Sequence, residues 1–211
     1  MMRRRDVLGA LVAAAVGSQF APALSLAGEG ASKRRIPWRN WSGSQQCFPA
    51  QRTAPGSLAE LQELVAGSTG TVRPVGAGHS FTPLVPTDGT IVSLSRLSGV
   101  VSHNAEQLQA TVWGGTRLGD LGGPLEQVGQ ALINMPDIDE QALAGCLATA
   151  THGTGAGIGC MPTFVDGLQL VDARGDIVEC DANHNPELFQ AAKVSMGSLG
   201  IISQVRLQNV A

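Results

Sequence analysis

Two glycine-rich segments, Gly76-Ala77-Gly78-His79-Ser80 and Thr151-His152-Gly153-Thr154-Gly155-Ala156-Gly157-Ile158-Gly159, constrain this chain more than any other feature. Glycine lets the backbone approach a ligand closely and tolerates positive φ, so each segment can present N–H groups to a diphosphate. Neither follows G-x-G-x-x-G, because the third-glycine positions hold Phe81, Ile158 and Cys160. A Rossmann fingerprint is therefore excluded. G-x-x-x-x-G-K-[ST] is also absent, which excludes a phosphate-binding loop of the nucleotidase type.

Of 211 residues, 43% are hydrophobic, enough for one compact unit with a core of its own. The formal net charge of -3 provides no basic field for phosphate backbones, so nucleic acid is not an expected partner. Residues 1–27 read as a twin-arginine-type signal peptide. Arg3, Arg4 and Arg5 precede a short apolar run from Val7 to Val16, and Ala21-Pro22-Ala23 or Ser25-Leu26-Ala27 suits cleavage. The expectation is a protein exported to the periplasm or outside the cell, with a non-cleaved anchor as the alternative. Residues 28–37 read as a linker. Cys47, Cys146, Cys160 and Cys180 form no CxxC pair, which argues against zinc and leaves buried thiols or one disulfide.

From Trp38 the pattern alternates strands and helices. Ser57 and Glu60 suit a capping box opening a helix with Leu58, Leu61, Leu64 and Val65 on one face, and Gly67 stops it. Thr71–Val75 is a strand feeding the first glycine loop. Ile91–Leu97 and Gln109–Trp113 read as strands, and Leu118–Val128 as a helix broken at Gly122-Gly123-Pro124. Val165–Asp172 and Asp176–Cys180 form a hairpin, Pro186–Ala192 a short helix and Gly200–Val210 a closing strand. The interleaving predicts an α+β domain.

Three ordered segments carry a family resemblance: Arg73-Pro74-Val75-Gly76-Ala77-Gly78-His79-Ser80-Phe81, Gly145 to Gly155, and Gly197-Ser198-Leu199-Gly200-Ile201-Ile202. Together they resemble the FAD-contacting segments of the vanillyl-alcohol oxidase superfamily. Within it the chain is most similar to arabinonolactone, gulonolactone and alditol oxidases, through Trp38-Arg39-Asn40-Trp41-Ser42 and Asn134-Met135-Pro136-Asp137-Ile138. The resemblance covers residues 38–211 and implies a PCMH-type FAD-binding fold of two α+β subdomains clasping FAD.

The resemblance also assigns residues. Val75, Gly76, Ala77, Gly78, Ser80 and Phe81 would contact FAD, and His79 would bond covalently to a methyl group of its ring system. A neutral imidazole nitrogen is a suitable nucleophile for that carbon. A loop histidine bonded to nearby backbone is the bland reading. Pro136 to Asp139 and Gly145 to Gly153 would run beside the diphosphate and ribityl chain, with Thr149 and Thr151 supplying hydroxyls. Gly200, Ile201 and Ile202 would lie by the adenine. His152 either approaches the flavin or holds its loop. His103 and His184 read as surface residues, and the four histidines lack an i, i+4 pair for a metal.

The resemblance implies a small-molecule polyol or aldonolactone as substrate. Such oxidases carry a C-terminal cap over the flavin, for which this sequence has no counterpart, so a cap-domain partner chain is one expectation. A non-catalytic FAD-binding module from a truncated or split oxidase is the other.

Overall fold

The structure, a computed structural model, describes residues 35–211. The signal-like segment and all but the end of the linker lie outside the described residues. A small hairpin opens the fold: β1 (Trp38–Arg39) pairs with β2 (Gln46–Cys47), Trp38 opposite Cys47. Three strands then make a parallel sheet in the order β3 (Gln51–Thr53), β5 (Thr90–Ser93), β4 (Val72–Val75). Consecutive Ile91 and Val92 are both buried, as expected of a parallel strand covered on both faces.

Between β3 and β4 runs α1 (Leu58–Ala66), which buries Leu61 and Val65. The Glu60 N–H donates to Ser57 Oγ at 3.1 Å. Glu60 Oε2 returns to the Gly56 N–H at 2.6 Å, one residue before the cap, and so satisfies a donor just outside the helix. Gly67 ends the helix by donating to the Glu63 carbonyl at 2.9 Å.

The second sheet is antiparallel, in the order β6 (Val100–Asn104), β7 (Gln109–Trp113), β10 (Ile201–Gln208), β8 (Val165–Val171), β9 (Ile177–Asp181). Its inner face carries Ala110, Val112, Val205 and Leu207, while Thr111, Gln204, Arg206 and Gln208 lie between them on the wetter face. Three short helices, α2 (Gly122–Glu126), α3 (Leu143–Ala148) and α4 (Pro186–Ala192), cover the inner face with Leu125, Leu143, Leu147 and Phe189. A second cluster joins the two sheets: Leu61, Val65, Val92, Leu94 and Leu97 pack with Val171 and Ile201. Two α+β halves thus share one seam, as the resemblance implies.

Sequence readings are corrected at three points, and one strand, β6, is added that no reading anticipated. β5 stops at Ser93, because Leu94 turns the chain through a Leu97 N–H bond to its carbonyl. Pro124 does not break a helix: it stands in the first turn of α2, where a missing N–H is harmless. Leu118–Asp120 is a separate 3-10 turn. β6 has no apolar alternation, and its pairing with β7 recruits it as an edge strand. All four cysteines are free thiols, so the disulfide alternative falls. Burial pushes the Cys146 thiol up to about 12 and raises that of Cys180. Among the described residues no helix is long and apolar enough to cross a membrane, and no cluster of metal-ligating side chains occurs.

Candidate functional site

A cavity of about 730 Å³ lies along the seam between the two sheets. It is lined by the end of β4 and the loop that follows, Val75 through Phe81, and by Gly145, Thr149, Gly200, Ile201 and Ile202. Twelve residues assigned from the sequence therefore meet in one place although up to 127 positions separate them. The volume falls within the roughly 300–1,000 Å³ of small-molecule and cofactor pockets.

Glycine makes the approach of the segments possible. A Cβ at Gly76 would stand 3.1 Å from the Ala142 Cβ, and one at Gly145 would meet only Gly76 Cα, at 3.9 Å. The bare face of Gly145 is thus open space where a ligand backbone can lie. Gly200 has φ +139°, and a Cβ there would sit 2.8 Å from the Val171 carbonyl oxygen. Any other residue at that position is strained.

The opening hairpin holds the first loop in place. The Trp41 N–H donates to the Gly78 carbonyl at 2.9 Å, and Asn40 Nδ2, on a buried side chain, donates to the Ser80 carbonyl at 3.0 Å. Gln45 Nε2 reaches the Phe81 carbonyl at 3.2 Å. His79 is half-buried at the cavity wall with the Trp41 ring stacked on it, centroids 5.1 Å apart and planes 21° from parallel. His152 Nδ1 is engaged by the Gly153 carbonyl and His184 Nδ1 by Asp181, whereas among the described residues no protein group engages the His79 ring nitrogens.

Five assigned residues do not line the cavity: Pro136, Asp139, Thr151, His152 and Gly153. The turn ending α3 explains the last three. The Ala150 N–H bonds to the Leu147 carbonyl and the Thr151 N–H to the Cys146 carbonyl, both at 2.9 Å, with Ala150 at φ +52°. This is a Schellman turn, and it carries the chain away from the cavity after Thr149. Thr151 Oγ1 consequently donates to Gln141 Oε1 at 2.8 Å, and Gln141 lines the cavity in its place. His152 faces solvent, and Gly153 packs against Met135. Asp139 packs against the Gly119 turn, whose N–H donates to its carbonyl at 3.0 Å, and Pro136 is half-buried in the preceding segment. His103 and His184 are exposed, as read from the sequence.

Sequence reasoning missed Gly114, Gly115, Arg117, Ala142 and Met196, all of which line the cavity. Gly114 is the hub. Its N–H donates to the Ser203 carbonyl at 2.8 Å, its carbonyl accepts from Ala144 at 2.9 Å, and a Cβ would crowd Ala144 at 3.2 Å. The Gly114-Gly115 pair directly after a strand was a visible signal for this. Among the described residues that line the cavity, Arg117, ion-paired with Glu140, is the one Lys or Arg, and no carboxylate joins it there.

Glycine-lined backbone, apolar walls at Leu94, Ile201 and Ile202, and a single cation suit a cofactor joining flat ring systems through an anionic diphosphate. These features define a dinucleotide-cofactor domain without a Rossmann loop. Residues 49–181 match the family described as FAD binding domain, and the chain belongs to that family.

Relatives extend the match. The chain is 39% identical over 176 residues to an L-gulono-1,4-lactone dehydrogenase of Mycobacterium tuberculosis, covering 82% of this chain and 40% of that protein. It is 35% identical over 178 residues to an L-gulonolactone oxidase of Bos taurus, covering 83% and 40%. With a D-arabinono-1,4-lactone oxidase of Kluyveromyces lactis the identity is 32% over 186 residues, covering 85% and 35%. The chain thus spans about 40% or less of these relatives' length. The fold matches that of a chitooligosaccharide oxidase with a TM-score of 0.69 at 22% identity, over 78% of this chain and 36% of the other. The resemblance to the vanillyl-alcohol oxidase superfamily is borne out.

Proposed function

We propose that this chain is the FAD-holding part of an oxidoreductase of the aldonolactone or alditol oxidase type, with the cofactor joined covalently to His79. The observation that carries the reading is the placement of His79: it lines the seam cavity with ring nitrogens that no protein group among the described residues engages. FAD, when bound, supplies two-electron transfer to and from a CH–OH group. The chain's own part is to bind and orient. Backbone N–H groups of Gly76 to Ser80 and the Arg117 cation suit the diphosphate, while Ile201 and Ile202 exclude water from an apolar ring. The names of the relatives support a sugar-derived alcohol or lactone as substrate.

A cap-type segment or partner chain positions that substrate, because a flavin oxidises only what is held against it. Arg4-Arg5 and the apolar run after it direct export, with loss of cell-exterior localisation on replacing both arginines by lysine as the check.

The test is the visible spectrum of the full chain after incubation with FAD, before and after denaturation and gel filtration. Yellow colour that stays with the unfolded wild-type chain and is absent from His79→Ala supports the reading. Colour released on unfolding removes the covalent role, and a chain that takes up no FAD overturns the proposal as a whole.

A further inference from the structure

Trp41 is 68% exposed, an unusual placement for the largest apolar side chain, and its ring stacks on that of His79. It is also anchored. Its N–H donates to Gly78, and Asn40 beside it donates to the Ser80 carbonyl, so the hairpin grips the backbone on both sides of His79. Gly78 has φ +75°, and a Cβ there would lie within 3.5–3.8 Å of Asn40, Trp41 and Trp38, which fits the hairpin closely to the loop. Among the described residues the protein gives the imidazole no hydrogen bond, and the indole is the ring that lies against its face.

We infer that Trp41 is a positioning residue for His79: the stacked indole holds the imidazole plane so that a ring nitrogen points into the cavity, and this orientation sets the rate of covalent cofactor attachment. The inference rests on the covalent role of His79 proposed above. Attachment replaces one methyl C–H bond of the cofactor by a C–N bond to His79. The methyl hydrogen and the imidazole N–H hydrogen leave as two protons, and the two electrons pass through the cofactor to dioxygen, giving hydrogen peroxide. Two π-faces in offset contact attract one another beyond their area burial, which favours one ring orientation over others. Holding a nucleophile in line lowers the barrier without any change in cofactor affinity.

The experiment compares wild type, Trp41→Ala and Trp41→Phe as full chains. Covalent incorporation is followed by mass and by colour retained after denaturation, reversible FAD affinity is measured in a His79→Ala background, and NMR reports the ring-current shift of the His79 Cε1–H before FAD is added. Trp41→Ala is expected to slow incorporation about tenfold or more, to lose the ring-current shift, and to leave reversible affinity within about threefold; Trp41→Phe restores most of the rate. Wild-type incorporation rates in a Trp41→Ala chain whose ring-current shift is gone overturn this inference alone. If wild type binds FAD and never links it, the covalent reading fails and the inference falls with it.

Discussion

Gly76 and Ala142 meet across the seam between the two sheets: a Cβ on Gly76 would lie 3.1 Å from that of Ala142, tighter than an ordinary side-chain contact. The contact seats the end of β4 against the start of α3, and both line the cofactor cavity. Gly76→Val is expected to push these elements apart, costing about 1–3 kcal/mol as overpacking does. Urea unfolding gives the stability, and flavin fluorescence titration is expected to show FAD affinity reduced about tenfold or more, since 1.4 kcal/mol is a factor of ten.

Ala150 occupies the left-handed position of the Schellman turn that ends α3, where glycine is the usual residue. A Cβ there costs roughly 1–2 kcal/mol, and glycine's extra backbone entropy returns about half of it. Ala150→Gly is accordingly expected to stabilise the chain by about 0.5 kcal/mol, visible as a higher urea midpoint at unchanged slope. A lower midpoint would show the turn to be unstrained.

Ser57 caps α1 through the Glu60 N–H, and α1 in turn supplies Leu61 and Val65 to the cluster that joins the sheets. Ser57→Ala is expected to cost about 1 kcal/mol. Hydrogen exchange of the first turn of α1 checks the locality of the loss: faster exchange confined to Leu58–Leu61 is the predicted pattern.

Asp181 accepts the N–H groups of Asn183 and His184, and these, with the His184 ring and the Arg206 guanidinium, hold its carboxyl down at about 2. An unfolded aspartate titrates near 3.9, so the folded state binds this proton more weakly. The stability it contributes is present in full above about pH 4 and is lost as pH falls toward 2. Asp181→Asn should therefore be less stable than wild type at neutral pH, with the difference shrinking below pH 4; thermal melts across that range decide it.

The sequence by itself determined local matters. Ser57, Glu60 and Gly67 set α1 because capping is a bond between near neighbours. The β8–β9 hairpin followed from Gly175, whose φ of +85° closes the turn. The first glycine loop was legible because a backbone that must approach a ligand closely needs glycine at fixed positions, and the Gly200–Ile202 segment was legible through the family resemblance.

Tertiary structure alone decided the rest. β6 exists through its ladder with β7, and no local pattern foretells an edge strand whose outer residues are wet. Gln141 displaced Thr151 from the cavity because the turn at Ala150 redirects the chain, and Arg117 and Gly114 joined the wall by the antiparallel course of β7 beside β10. Trp41 meets His79 across 38 residues because two hydrogen bonds fold a hairpin back onto a loop. Each of these depends on contacts between segments far apart in the chain, whose geometry is fixed only when the two sheets close on their shared core.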